Sequence, residues 1–451
     1  MELIYPEVLA FLLLFPAGLS RGVFTNLLME TVCLSVNNMT YEICSHVELI
    51  PSDVQNIIQP QVNRLLNWQV LIETILPAFC VVFLGPWSDS HGRRPLILIS
   101  VLGQLLYYCV LSVQVLFSDL LPASYYLLPS IPIGLTGGYS VLVLAVVCSI
   151  TDFTTNENRA ARMGTFQASC MIGSLMAQLL TAKVSSGPHG FQITFLICAV
   201  VCFINLLYAI IYVPESVNLP RETAEVRVLD LFKVIAKKRP NYKRAQLYLL
   251  ILANTAYFLI VFGEGDVFYQ SAIKRFHWNL EKYARLSSLS LAVAGLVLIF
   301  GSYVVKFFRI SDIAAALIVV VPRIVSSIVV FLAPSDHWLY VAAVMGCVCT
   351  LLTPFYRAAV TKIVPSDELG KIFAVIIFTE ALVPSVSSNI YTFAYNSLIY
   401  THPNAVFLVS FALALLTFIM LLGAYFIQIR YPAIEFEHVA DDPTFTNPSQ
   451  T

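Results

Sequence analysis

The chain is organised around long apolar runs, and these decide its fold class. They lie near residues 7–29, 67–88, 95–117, 124–151, 160–184, 190–213, 245–268, 284–305, 313–333, 338–363, 370–397 and 404–429. A helix needs about 20 residues to cross the hydrocarbon, so each run is sized for one passage. In lipid the backbone must hydrogen-bond to itself, and apolar runs this long do so as helices, not as barrel strands. The reading is an all-α integral membrane protein with about twelve spans in a lipid bilayer. Composition agrees: 58% of the 451 residues are hydrophobic and 12% charged, about half the charged share of a soluble domain. The net charge of -1 argues against a nucleic-acid partner, which needs a basic patch.

The opening MELIYPEVLAFLLLFPAGLSRG carries Glu2 and Glu7 where a targeting peptide has Lys or Arg, and stays apolar past Arg21. It reads as a first membrane helix. The longest polar interruption, 214–244, holds eight basic and four acidic residues. It divides the chain into a six-helix bundle at 1–213, a cytosolic linker at 214–244 and a second six-helix bundle at 245–430. A polar tail at 431–451 is read as disordered and cytosolic.

With the N-terminus in the cytosol, the inner segments carry seventeen Lys and Arg against five outside, eight of the seventeen in the linker. That asymmetry favours this orientation. The glycosylation sequon Asn38-Met39-Thr40 then falls in an outer loop. Cys33 and Cys44 flank it in an oxidising compartment, where they form a loop-stapling disulfide or remain two free thiols. Eight of the ten Cys fall inside apolar runs and read as small core residues.

The stretch GPWSDSHGRRPLIL, residues 85–98, sets a carboxylate and two guanidiniums between two apolar runs. Gly85, Asp89, Gly92, Arg93 and Arg94 follow G-x3-D-x2-G-R-R, which resembles the loop signature of the major facilitator superfamily. The glycines permit a tight turn and close helix approach. Asp89 can accept bonds from the arginines and from the N-terminal end of a neighbouring helix. Such a cluster acts as a conformational latch between two halves; Arg94 beside Pro95 can equally be a plain positive-inside anchor. GSYVVKFFRISD, after the eighth span, keeps Gly301 and Arg309 but has Val305 in place of the acid, as a faded internal copy would.

The forms ITD with RAARMGTFQAS, PFYRAAVTKIVPSDELGKIFAVI and NSLIYTHPNAVFLVS resemble solute-carrier family 46, which includes the proton-coupled folate transporter. The resemblance runs from the first span to the twelfth and implies a fold of two pseudo-twofold related six-helix bundles around a central cavity. It also implies that Asp89 and Arg93 are the loop pair and that Arg357 takes part in substrate and proton handling. Gln167 stands where the folate transporter has a proton-coupling glutamate, and LSSLSLAVAGL has no counterpart of its eighth-helix histidine. Both departures put folate and that proton route in doubt.

Ionisable groups within a span cost roughly 2.5–3.5 kcal/mol each, so each needs a reason. They are Arg21, Glu73, Glu264, Asp266, Arg323, Arg357 and Glu380. The resemblance places the first, fourth, seventh and tenth spans around the cavity, so Arg21 and Arg357 would face substrate, with Asn254 and Tyr257 contributing. Two guanidiniums in an apolar pocket suit a carboxylate or phosphate. The alternative pairs Arg357 with Glu380 as an internal salt bridge. If protons are coupled, Glu380 is the deepest carboxylate available to carry them, while Glu73, Glu264 and Asp266 read as entrance residues. Gln167, Ser169, Ser174 and Gln178 give the fifth span a polar stripe, for interhelical bonding or substrate contact.

An enzyme would need clustered His, Asp, Ser or metal ligands; the seven His are scattered and form neither HExxH nor HxxxxD. No metal and no cofactor is expected. The function read is secondary active transport of a small organic anion by alternating access, as a proton symporter or without protons. Muropeptides and other small solutes stay open as substrates, as does a non-transporting receptor or scaffold of the same fold. The compartment is the plasma membrane or the endolysosome, and the oligomeric state is not legible.

Overall fold

A computed structural model describes residues 5–35, 44, 52–118, 121–155, 157–185, 189–216, 233–276, 278, 280–365, 368–398 and 403–431. The sequon at Asn38, most of the linker and the tail from 432 lie outside the described residues. Among the described residues, eleven helical segments are long and apolar enough to cross a membrane. Arg159–Ser185 is a further 27-residue helix. It falls short of that apolarity because it carries Arg159, Arg162 and the stripe Gln167, Ser169, Ser174 and Gln178. With it the spans, taken as 1 to 12 in chain order, are Tyr5–Leu34, Ser52–His91, Arg94–Leu116, Ser130–Phe153, Arg159–Ser185, Gly190–Tyr212, Lys243–Phe276, Leu280–Phe307, Asp312–Leu332, His337–Thr361, Leu369–Leu398 and Phe407–Arg430.

Span 4 is broken where Gly137 and Gly138 take φ of 78° and 46°, a region that glycine enters without steric cost. Span 10 passes through a 3-10 turn at Val348–Leu351. Span 2 extends well beyond its apolar run, beginning at Ser52. A row of exposed apolar side chains, among them Phe83, Leu106, Val200, Phe300, Phe393 and Ile419, covers the outside as a lipid-facing surface requires.

The helix pairings repeat between the halves. Span 1 packs on spans 5 and 6, as span 7 packs on 11 and 12; span 3 meets spans 4 and 6, as span 9 meets 10 and 12. Between the halves, span 2 meets span 11 and span 5 meets span 8. These are two six-helix bundles with matched seams, related by a pseudo-twofold operation.

The apolar core shows which end is shut. One cluster runs through both bundles, from Leu9 and Phe166 to Phe355 and Phe373. It lies at the end that carries Asp89 and Arg93. Towards the other end the core splits into one cluster per bundle, around Leu27 and Phe195 and around Trp278 and Phe407. There Cys33 and Cys44 are joined by a disulfide, with Cα atoms 5.7 Å apart. The bundles are therefore fastened at the Asp89 end and parted at the disulfide end.

Candidate functional site

The fastening begins with glycine. A Cβ at Gly85 on span 2 would collide with Ala374 on span 11, and one at Gly370 would collide with the Asp89 carboxylate. The missing side chains let span 2 press onto the first turn of span 11, where free backbone N–H groups favour an anion. Arg93 then holds Asp89 at 2.7 Å, donates to Ser88 and reaches Asp152 on span 4 at 3.5 Å. Glu215, just after span 6, accepts from the backbone N–H groups of Arg93 at 2.8 Å and Arg94 at 3.2 Å. Gly92, at φ 104°, makes room for the Glu215 carboxylate, which a Cβ would strike. Arg94 stands apart from Asp89: its guanidinium donates to Ile210 O at 2.6 Å, capping the last turn of span 6.

The second seam repeats the device with other chemistry. A Cβ at Gly164 on span 5 would strike Ser302 on span 8, so glycine again sets the approach. Lys306, one residue beyond Val305, donates to Asn158 across the seam. Arg159, fully buried, donates to Thr361 on span 10 at 2.8 Å and to the carbonyls of Thr151 and Thr154.

Glu368, at the mouth of span 11, takes Lys237 and Arg239 from the end of the linker, the latter at 2.7 Å. Burial by itself raises this carboxyl, but the two cations outweigh it and hold it below the usual carboxylate range. A depressed carboxyl contributes stability above its ordinary titration range and loses it as pH falls through the lower folded value. Protease protection of the segment around Arg239 should thus persist from neutral pH to about pH 5 and vanish only below about pH 4. Release at an endosomal pH would show that this pair does not hold the linker.

The charges inside the bundles fall into three groups. Arg21, Glu73, Gln69, Gln104, Tyr107 and Tyr139 line a cavity of about 590 Å³ in the first bundle. Arg21 is exposed in its wall. Glu73 Oε1 accepts from Ser130 at 2.7 Å and from Gln69 at 3.0 Å. In the second bundle Arg357 donates to Glu380 Oε2 at 2.9 Å, and Asn254 donates to Oε1 at 2.8 Å. The third group is the ion pair of Arg323 with Glu264, beside which Tyr257 is buried. Asn254 thus sits with Arg357 and Glu380, Tyr257 lies beside the Arg323–Glu264 pair, and Glu264, read as an entrance residue, is held in an ion pair. The side chain of Asp266 is outside the described residues.

The Arg357–Glu380 group is not closed on itself. Arg357 Nε and Asn254 Oδ1 are buried without a hydrogen-bond partner, and Tyr139, from the first bundle, lies within electrostatic reach of both Arg357 and Glu380. Gln167 and Ser174 are half-buried and Gln178 is exposed. Spans 1 and 5 meet through small residues, with Gly18 against Ser174 and Ala177 and Gly173 against Phe11, and through Glu7, which pairs with Arg162 at 2.9 Å and accepts from Thr165 at 2.8 Å.

The family model described as Major Facilitator Superfamily matches residues 11–388. The chain belongs to that superfamily. Its curated relatives are named as members of solute-carrier family 46 or by the transport they perform. The probable peptidoglycan muropeptide transporter SLC46 of Drosophila melanogaster is 27% identical, over 89% of this chain and 81% of that protein. The human lysosomal proton-coupled steroid conjugate and bile acid symporter SLC46A3 is 25% identical, over 93% and 94%. The proton-coupled folate transporter of Rattus norvegicus is 25% identical, over 70% and 69%. Among solved structures, the human organic anion transporter MFSD10 aligns with TM-score 0.69 at 16% identity, over 93% of this chain and 98% of that one. The Major Facilitator Superfamily transporter FucP in the outward conformation aligns with TM-score 0.64 at 10% identity, over 93% and 98%. A multi-pass membrane transporter of the facilitator fold is the functional class these findings establish.

Within this facilitator, several working residues escaped the reading of the sequence. Asp152 and Glu215 complete the Arg93 cluster, and each had a signal: one acid ends the ITD form, the other follows span 6 directly. Arg159 counted only as one more inner cation, yet it crosses the seam. Ser130 and Gln69, which hold Glu73, have no signal in composition or spacing.

Proposed function

We propose that this facilitator is a secondary active transporter of small organic anions that works by alternating access and is coupled to protons. One observation carries the reading. Arg21 presents a guanidinium, without an ion pair among the described residues, to a cavity of about 590 Å³, a size typical of small-molecule sites. A cation placed within a span at a cost of roughly 2.5–3.5 kcal/mol calls for an anion to meet it. The relatives named for folate and for bile acids support an acidic substrate, and two of the names include proton coupling.

Glu380 is the proposed proton carrier. While ionised it occupies Arg357; once protonated it releases the guanidinium to a substrate carboxylate. Gln167 cannot titrate near neutral pH, so the coupling runs through the second bundle. On the same reading the Asp89 end faces the cytosol, residues 214–244 link 1–213 to 245–430 on that side, and Asn38 is glycosylated outside. The described state is then open outward. The relatives support either a plasma-membrane or a lysosomal location.

Counterflow of organic anions into proteoliposomes, at neutral and acidic pH, tests the proposal. Arg21→Ala should lose about 2 kcal/mol or more of anion binding, about thirtyfold or more in apparent affinity. Glu380→Gln should abolish the stimulation by acid while anion exchange survives. Unchanged pH dependence in Glu380→Gln removes the proton assignment, and unchanged uptake in Arg21→Ala removes the anion site.

A further inference from the structure

Deepening that reading, we propose that the first-bundle cavity recognises a dipolar substrate, with an acid group on Arg21 and an ammonium group on Glu73. The two side chains line the same cavity and are electrostatically coupled, yet they do not form a salt bridge with each other. Glu73 is instead held from the side. Its Oε1 takes the hydrogen bonds of Ser130 and Gln69, and Gln69 is itself anchored on the Tyr107 hydroxyl at 3.2 Å. Among the described residues Oε2 has no partner. A carboxylate fixed through one oxygen, with the other left over, is an acceptor waiting for a donor.

The rest of the wall asks for donors as well. Gln104 donates its amide to Leu13 O at 2.9 Å, which fixes its orientation and leaves Oε1 buried without a partner. The Ser100 hydroxyl in the same wall is likewise unpartnered. Buried acceptors without partners are costly, so a ligand that supplies N–H groups gains by satisfying them. A purely anionic ligand would satisfy Arg21 but would set its charge against Glu73. An acid that also carries an amine and amide N–H groups answers each group at once. The fit is to an amino-acid conjugate or short acidic peptide, and a site built this way rejects the analogue that lacks the donor.

The test uses the full chain in proteoliposomes and matched probes: an acidic tripeptide with a free α-amine, its N-acetylated form, and a simple dicarboxylate. Wild type should take up the free-amine peptide at least about tenfold better than the acetylated one. Glu73→Gln keeps the acceptor for Ser130 and Gln69 but removes the charge. It should erase that preference by lowering free-amine uptake, with dicarboxylate uptake unchanged or raised. Ser130→Ala, which loosens Glu73 without touching its charge, should weaken the preference partially; thermal melting of both variants checks that they fold. Equal uptake of the two peptides by wild type, or a parallel fall of all three probes in a folded Glu73→Gln, would overturn the dipolar site. Loss of all three probes in Arg21→Ala alone leaves the anion reading intact, whereas indifference of all three to Arg21→Ala counts against that reading itself.

Discussion

Arg357→Ala is expected to destabilise the protein by about 3–5 kcal/mol and to abolish uptake. The side chains of Arg357 and Glu380 are 6% and 12% exposed, so removing the guanidinium strands a carboxylate whose remaining direct donor is Asn254. The loss measures the uncompensated charge more than the worth of the pair. The double variant Arg357→Met/Glu380→Leu therefore decides what the pair is for, because replacing both partners of a buried pair by apolar side chains of similar volume is often close to neutral. Thermal melting in detergent should place the double variant nearer wild type than the single one. Transport should stay absent in both, since neither can offer a guanidinium to substrate. If the double variant recovered transport along with stability, the pair would be internal scaffolding only, and Arg357 would drop out of the substrate site.

How far these features were legible in the sequence follows from what sets each one. The spans were legible because lipid imposes one demand along a whole run. Span 5 shows the limit of that signal: Arg159, Arg162 and the polar stripe dilute its apolarity, yet small residues at Gly18, Gly173 and Ala177 bury it between span 1 and the second bundle. The Asp89–Arg93 pair was legible because both members sit in one turn. Its partners were not, since Asp152 and Glu215 arrive from spans 4 and 6 and only folding sets them beside it. The copy in the second half looked faded at Val305, but the seam there is made by Lys306, one position along, and by Gly164 on span 5. The membrane charges were all visible; of their grouping, the Arg357–Glu380 bridge stood in the sequence as one alternative, whereas the placing of Arg21 with Glu73 and of Arg323 with Glu264 did not. Arg21 and Arg357 read alike as guanidiniums within spans, and only packing separates the one left in a cavity wall from the one laid on Glu380. Likewise Glu264 carried no mark that Arg323 would neutralise it.

Arg93→Ala should cost a similar amount, about 3–5 kcal/mol, but the cost should appear as a change of state as well as of stability. Arg93 is 3% exposed and sits between Asp89 and Asp152, so its loss leaves two carboxylates facing each other. Asp89 is the one that touches the other bundle, at the first turn of span 11, and a latch requires that contact to break when the Asp89 end opens. Freed from Arg93, it repels Asp152 and no longer sits squarely on Gly370. Each 1.4 kcal/mol withdrawn from the shut state shifts the balance about tenfold towards its opposite. Hydrogen exchange of the amides at 369–374 should therefore rise by at least that factor. Arg93→Lys should not restore it, because one ammonium cannot replace a planar fork spread over Ser88, Asp89 and Asp152. Gly370→Ala separates the two effects. Its methyl would strike Asp89 across the seam while leaving the first bundle's ionic cluster whole, so it should open the Asp89 end without the loss of melting temperature seen in Arg93→Ala. Matching losses of stability in the two variants, with exchange at 369–374 unmoved, would mean that the cluster braces one bundle and has no part in the movement between them.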